Sequence, residues 1–347
     1  MHTYLIEMLE CPACHGDLDW RLTERDDRRV LAADIRCRAC GTVYAVREGI
    51  GLFLTPELSG DDPWQQADSR LARFLREHPD AEWRLMQTPL DTLNPADQLF
   101  RALVWEERGH FAEAQAAEDR ANVGLYTPEY LACLKSECEY VIEQLSTPDG
   151  PIVDLASGRG YLVKQLARQL QRSIVASDVS PRILRRDRDR LEFDGVYDAV
   201  SLLAFDARRT PFKSGSVKTL TTNLGLPNIR EPGHLLAELR RIVDGTFLAI
   251  SHFYPENDEV NARKIREMGM ETLLYRRAAL QSFVEAGWQA NVAHTRLGKA
   301  RPTPAGAVLE GATIDTLPAA ETTLEWCVLE ATPPAGRSDH KTPVWVS

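Results

Sequence analysis

Two sets of residues have the types and spacing to do chemistry. The first is a thiolate set. Cys11-Pro12-Ala13-Cys14 and Cys37-Arg38-Ala39-Cys40 form two CxxC pairs. Two thiolates so spaced reach one ion from a single tight turn, and two such turns complete a closed tetrahedral shell. Cys11, Cys14, Cys37 and Cys40 are therefore the expected ligands of a structural Zn2+. Gly16 and Gly41 follow the knuckles, where a positive φ lets backbone amides turn toward sulfur. A segment of about fifty residues has too little core to fold unaided, so the metal would supply the missing stability. A redox role fits less well, because a dithiol exchange pair needs no second pair.

The second set is a strand, a small-residue loop and a helix. The apolar run Ile152-Val153 ends at Asp154, and Ala156-Ser157-Gly158-Arg159-Gly160 follows. Leu162, Leu166 and Leu170 then recur at helical spacing. Small residues let a ligand approach the backbone, and the helix N-terminus offers amide donors. The dinucleotide fingerprint asks for a third glycine where Val163 stands, so a pyrophosphate site is disfavoured. A second strand over Ser173–Ser177 ends at Asp178, 24 residues after Asp154. A carboxylate there can accept hydrogen bonds from two ribose hydroxyls.

The elements that must position these sets follow from pattern. Residues 1–55 form the expected zinc ribbon and 56–145 a helical linker or cap. That segment opens with a linker at "TPELSGDDP" and shows helical patterning at Trp64, Leu71, Phe74 and Leu75. Asn94-Pro95 with Asp97 reads as a helix start, Ala112–Asn122 as a helix, and Tyr126-Thr127-Pro128 as the start of another. Cys133, Cys138 and Cys327 read as core residues. Ala199–Ala204 and Val217–Thr222 read as strands, with Asn223 at the C-terminal end of the latter, where open parallel sheets bind ligands. Residues 146–332 form the expected ligand-binding domain, and 333–347 a disordered tail.

Composition narrows the class. The chain has 347 residues, 44% of them apolar and 27% charged, with a formal net charge of −10. That balance argues against a protein dominated by phosphate contacts. Residues 1–55 hold seven Arg and no Lys against nine Asp and Glu. The one basic run, Arg182, Arg185, Arg186, Arg188 and Arg190, is interrupted by Asp187 and Asp189 and reads as a solvated helix face with internal ion pairs. No targeting segment and no run of ~18 apolar residues is visible, so the expectation is a cytoplasmic protein without a membrane partner.

Two resemblances attach to these residues. "LECPAC" with Gly16, followed by Cys37, Cys40, Tyr44 and the Gly49-Ile50 turn, resembles the small zinc-ribbon family whose members activate tRNA and translation-factor methyltransferases. "VDLASGRG" resembles the first motif of class I methyltransferases, with Ala156 in place of the usual first glycine. "DARRTPFKSGSVKTL" extends that likeness toward the ubiquinone-methylase-like branch. The resemblance implies S-adenosylmethionine as cofactor and an α/β, Rossmann-like sheet of seven strands, the last antiparallel. It also implies a cofactor site made of Asp154, Ala156, Ser157, Gly158, Gly160, Asp178, Val179, Asp206, Ala207 and Asn223. In that family the acid matching Asp178 holds ribose, the one matching Asp206 contacts the adenine amino group, and Val179 would pack on adenine.

The acceptor is less legible. Asn223-Leu224-Gly225-Leu226-Pro227 lacks the Pro-Pro-aromatic sequence of enzymes that methylate amide or exocyclic adenine nitrogens. His252, after the fifth strand, and Tyr126, at a lid position in such enzymes, are the candidate catalytic residues. The insertion 300–321 is a candidate wall of the acceptor pocket. The leading expectation is a small-molecule acceptor. A ribosomal or transfer RNA methyltransferase is one alternative, and a non-catalytic cofactor-binding partner that regulates another protein is the other.

Overall fold

The computed structural model describes residues 1–55, 73–147 and 149–334. The expected linker at 56–63, the helical positions Trp64 and Leu71, and the expected tail from 335 onward lie outside the described residues.

The N-terminal segment contains the short helix α1 (Leu5–Met8) and four strands: β1 (Leu18–Arg25), β2 (Val30–Cys37), β3 (Val43–Arg47) and β4 (Ile50–Leu52). A helical region follows, with α2 (Pro79–Gln87), α3 (Pro95–Glu107), α4 (Phe111–Leu125) and α5 (Pro128–Gln144). The starts expected from sequence are present. The Asn94 side chain accepts from Asp97 N, and the Thr127 hydroxyl accepts from Tyr130 N. Proline fills the first helical position in both α3 and α5.

The remainder alternates strand and helix: β5 (Ile152–Asp154), α6 (Tyr161–Gln169), β6 (Ile174–Asp178), α7 (Pro181–Phe193), β7 (Val200–Ala204), β8 (Val217–Asn223), α8 (Pro232–Ile242) and β9 (Val243–Phe253). Three helices follow, α9 (Glu259–Met268), α10 (Glu271–Leu274) and α11 (Arg276–Glu285), then β10 (Gln289–Ala300) and β11 (Thr322–Thr332). Strands β5, β6 and β7 are apolar and fully or nearly fully buried, as parallel strands covered on both faces must be.

The strand order is β1-β2-β3-β4-β7-β6-β5-β8-β9-β11-β10. The seven expected strands are β5 to β11, and β11 runs antiparallel to both β9 and β10. The expected count is nevertheless corrected: among the described residues the sheet has eleven strands, not seven. The four ribbon strands continue it, because β4 pairs in parallel with β7, Ile50 opposite Leu202 and Leu52 opposite Ala204. Phe53 N donates to Ala204 O at 2.8 Å, and Leu9 bridges to Phe212. Gly51 permits the close approach, since a β-carbon there would lie 2.5 Å from Leu203 Cδ2.

Packing follows the sheet. Leu5, Leu9, Ile35 and Phe53 of the ribbon share one apolar cluster with Leu203, Phe205 and Phe212. The helical region has small clusters of its own: Leu85, Phe100 and Val104 with Leu309, and Leu99 with Ala117, Ala121 and Leu125. Leu309 belongs to the insertion between β10 and β11. The buried Asp97 carboxylate holds that insertion by accepting from the amides of Ala307, Val308 and Leu309. The buried Asn261 fixes its far end through Ala319 N and Ala320 O.

Candidate functional site

The four ribbon sulfurs lie within 4.8 Å of one another. Cys11 Sγ is 3.7 Å from Cys40 Sγ, and Cys14 Sγ is 3.5 Å from Cys37 Sγ. A tetrahedral zinc with Zn–S bonds near 2.3 Å places its sulfurs about 3.8 Å apart, so the donor set and its dimensions fit that ion. Donors surround the sulfurs: the amides of Ala39 and Cys40 lie 3.4 Å from Cys37 Sγ, and the Tyr44 hydroxyl 3.2 Å from Cys11 Sγ. Gly16 is required by space, since a β-carbon there would lie 3.1 Å from Cys37 Sγ and 2.8 Å from Ala39 Cβ. Cys133, Cys138 and Cys327 are buried elsewhere, as core residues.

The second site forms at the C-terminal ends of β5, β6 and β8. Leu155 N donates to Thr221 O at 2.8 Å, which closes β5. The chain then turns through left-handed conformations at Ala156 (φ 51°), Gly158 (φ 54°) and Gly160 (φ 65°). Alanine in that region carries strain that the surroundings must hold in place. Gly160 caps α6. Ser157 knits the loop to β6: its amide donates to Ser177 O at 2.7 Å, and its hydroxyl accepts from Ser177 N at 3.0 Å.

Asp178 ends β6 and faces this loop. Its Oδ2 accepts from Gly158 N at 3.2 Å and its Oδ1 from Ser180 N at 2.9 Å. Val179 is half-buried beside it. Asp154 is placed differently: it is 1% exposed and accepts from the Thr221 hydroxyl at 2.7 Å. Burial pushes its carboxyl up to about 7. Asp154 thus ties β5 to β8 beneath the loop. Asp206 follows β7, and its carboxylate is clasped by the Arg208 guanidinium at 2.7–3.2 Å; Ala207 is buried next to it. Asn223 ends β8 with its Oδ1 buried and without a hydrogen-bond partner. Leu224 is left-handed (φ 58°), and Gly225 lies so near the loop that a β-carbon there would be 2.9 Å from Ala156 Cβ. The arrangement fits a nucleoside cofactor: amides and small residues on one side, an acid at the end of the neighbouring strand, and an orphaned amide oxygen opposite.

The two catalytic candidates stand on a shared aromatic path. His252 on β9 sits opposite Trp326 of β11, and the ring centroids are 5.1 Å apart. His252 is not at an open rim, as the sequence suggests. Its ring is packed between Trp326 and Tyr254, its Nδ1 is buried without a partner, and burial holds the imidazole down at about 4. It is therefore uncharged at neutral pH. Tyr126 stacks on Tyr130 at 4.8 Å, and Tyr130 meets Trp326 edge-on at 4.8 Å. The Tyr126 hydroxyl donates to Asp315 Oδ2 at 2.9 Å, from the insertion between β10 and β11. Burial raises both groups, so the phenol stays protonated. Asp315 lies 189 residues from Tyr126, and no local signal in the sequence joins them.

The basic run on α7 also has partners beyond its own helix. Arg185 and Arg188 pair with Glu48 of the ribbon, Arg182 with Glu107, and Arg186 and Arg190 with Glu106. Arg188 also pairs with Asp189 and Glu192, and Arg190 with Asp194, so the expected local pairs are present and the same run in addition joins α7 to other segments.

Two stretches of the chain match known families. Residues 2–49 match the model of the family described as Trm112p-like protein, and residues 152–245 match the model described as methyltransferase domain. A ubiquinone/menaquinone biosynthesis C-methyltransferase UbiE of Cupriavidus metallidurans is 35% identical over 98 residues, covering 28% of this chain and 40% of that protein. Its counterpart from Methylococcus capsulatus is 29% identical over 112 residues, 31% of this chain and 45% of the relative. The chain thus spans less than half the length of these curated relatives. Among solved structures, the YcgJ protein from Bacillus subtilis aligns over 58% of this chain and 100% of its own, with 14% identity and a TM-score of 0.47. Within one chain, a segment that matches the Trm112p-like family model is joined to one that matches the methyltransferase domain model.

Proposed function

We propose that this protein is an S-adenosylmethionine-dependent methyltransferase acting on a small-molecule acceptor, with its ribbon built around a structural Zn2+. The observation that carries the reading is the left-handed turn Ala156–Gly160 at the end of β5 beside Asp178 at the end of the neighbouring β6, inside the segment that matches the methyltransferase domain. When bound, S-adenosylmethionine supplies an activated methyl group. In this reading Asp178 accepts from the ribose hydroxyls, Ala156, Ser157, Gly158 and Gly160 form the cradle, and Val179, Asp206 and Ala207 flank the adenine. Asn223, at the end of β8 with its Oδ1 buried and unpartnered, would complete the site. Asp154 acts from below, by holding β5 against β8.

The chain's work is then to bind, orient and exclude water. His252 remains the candidate base of this reading, but a weak one: its partnerless Nδ1 is buried and the imidazole is held down at about 4, and transfer of an already activated methyl group asks little of a base. Tyr126, fixed by Asp315, would position the acceptor as a hydrogen-bonded wall. A small acceptor is favoured over RNA because the one basic run is engaged by Glu48, Glu106 and Glu107. A cytoplasmic location belongs to the same reading: seven unbridged cysteines suit a reducing compartment. No helix among the described residues is long and apolar enough to cross a membrane.

Calorimetric titration of the zinc-loaded protein with S-adenosylmethionine, and separately with NADH, tests the reading. Binding of the former alone, lost in Asp178→Ala, is the expected result. Binding that survives Asp178→Ala would remove Asp178 from the site, and binding of NADH would overturn the cofactor assignment.

A further inference from the structure

Arg159 is the one long side chain in the loop Ala156–Gly160, and it does not point into the protein's own sheet domain. It reaches the helical region. Its Nη2 donates to Glu106 Oε2 on α3 at 3.1 Å and to Glu118 Oε2 on α4 at 3.1 Å, and its Nη1 lies 3.1 Å from Glu118 Oε1. The Glu106 side chain is 5% exposed and takes two more arginines. Arg190 Nη1 donates to its Oε1 at 3.1 Å, and Arg186 Nε lies 3.6 Å from its Oε2.

The placement of these arginines is informative. Arg159 follows β5 and sits in the loop. Arg186 and Arg190 sit on α7, the helix that follows β6 and Asp178. One buried carboxylate from outside the methyltransferase-like sheet thus holds the loop after β5 through Arg159, while Arg186 and Arg190 seat that carboxylate on α7. The loop needs such a tie. Gly158 and Gly160 both adopt left-handed conformations and have no side chain to restrain them. The contact between Gly158 N and Asp178 Oδ2, 3.2 Å, depends on the loop keeping that shape. A buried carboxylate shared by three guanidinium groups is costly to desolvate and gains its stability from geometry, so its removal is felt at every partner.

We propose that Glu106, supported by Glu118, is a positioning residue for the cofactor loop: docking of α3 and α4 holds Gly158 and Gly160 in the ligand-binding conformation through Arg159. The helical region then contributes to the cofactor site through its contacts with Arg159. The proposal rests on the reading of residues 154–160 as a cofactor loop.

The test compares Glu106→Gln, Glu118→Gln and Arg190→Gln in the full chain, with folding checked by circular dichroism. S-adenosylhomocysteine is the calorimetric probe, and amide hydrogen exchange over 155–160 is followed without ligand. A positioning role predicts at least a tenfold weaker Kd and faster loop exchange in Glu106→Gln. It predicts about a threefold weaker Kd in Glu118→Gln, which serves as the readout should Glu106→Gln fail to fold. Arg190→Gln loosens the same docking surface but leaves Arg159 clasped, so its Kd and loop exchange should stay within twofold of wild type. Equal losses in Glu106→Gln and Arg190→Gln would mean general docking and overturn the proposal, as would wild-type affinity in both glutamate variants. A wild-type protein that binds neither S-adenosylhomocysteine nor S-adenosylmethionine would instead overturn the underlying cofactor reading, and the proposal with it.

Discussion

The ribbon and the helical region both attach to the same central sheet, but by different physics. The ribbon joins through the main chain: β4 completes hydrogen bonds along β7, and Phe53, Leu5 and Leu9 enter one apolar cluster with Leu203 and Phe212. Helices α3 and α4 keep small clusters of their own and meet α7 and the glycine loop largely through charged side chains, whereas α5 packs Cys133, Cys138 and Val141 into the core of the sheet. A backbone ladder over a shared core leaves no register to slide in and no separate unit to melt. Attachment through ion pairs is directional: the exposed Arg182–Glu107 pair contributes little and is screened by salt, whereas the pairs at the buried Glu106 depend on every partner being in place. One attachment suits a permanent part of the fold, the other a part whose seating can change with what it covers.

The comparison can be broken most severely at the metal. Chelation of zinc, or Cys37→Ser, should cost roughly 5 kcal/mol or more, because metal binding is folding energy for so small a ribbon. The loss should appear in the single melting transition of the chain, read by calorimetry. A ribbon that unfolds separately while the sheet melts unchanged would show the two are independent units. Phe53→Ala is the next largest. Phe53 is fully buried between ribbon and sheet, and its truncation should cost about 3–5 kcal/mol. Denaturant unfolding should shift its midpoint at constant slope if the shared cluster is one cooperative core.

A smaller effect comes from the seam between α5 and the sheet. Glu137 is fully buried with both carboxylate oxygens unpartnered, and burial pushes its carboxyl up to about 8. The unfolded chain ionises this group near the ordinary carboxylate value, so the folded state holds one more proton between about pH 4.5 and 8. Stability from this group therefore falls as pH rises through that window. Glu137→Gln should flatten the fall and stabilise the protein at pH 8 by about 1–3 kcal/mol. A pH profile of the melting temperature parallel to wild type would reject that account. The smallest change is expected at Glu48, whose half-exposed carboxylate pairs with Arg185 and Arg188. Glu48→Gln should cost no more than about 1 kcal/mol, and added salt should erase the difference. A larger loss would mean that charge, and not the β4–β7 ladder, seats the ribbon.

Much of this organisation is local and therefore legible in the sequence. The CxxC pairs, the acid-ended strand before Gly158 and Gly160, the caps at Asn94 and Thr127, and the order of β5 to β11 are each encoded within a few residues of one another. The eleven-stranded sheet is not. Ile50-Gly51-Leu52 is a three-residue strand whose partner lies about 150 residues away, and a pattern that short specifies no partner. The Tyr126–Asp315 bond and the Glu106 cluster are hidden for the same reason. Glu106 is one acid in a helix that carries several, and only tertiary placement separates it from Glu107, which reaches the exposed Arg182 instead. The arginine run is legible only in part: alternating signs along α7 suggest the local pairs that Arg188 makes with Asp189 and Glu192, whereas the pairs to Glu48, Glu106 and Glu107 come from segments far away in the chain.

The pairing of β4 with β7 also bears on solubility. A parallel sheet ending at β7 would present the apolar edge Val200-Ser201-Leu202-Leu203-Ala204 with a row of unmet amides and carbonyls, a template for any other strand. The ribbon occupies that edge and moves the sheet's border out to β1, whose residues Arg21, Glu24 and Arg25 alternate in charge and face solvent. Cutting the chain ahead of β5 would therefore yield a domain inclined to join its neighbours edge to edge. The segment that holds the metal also serves as the sheet's protection against self-association.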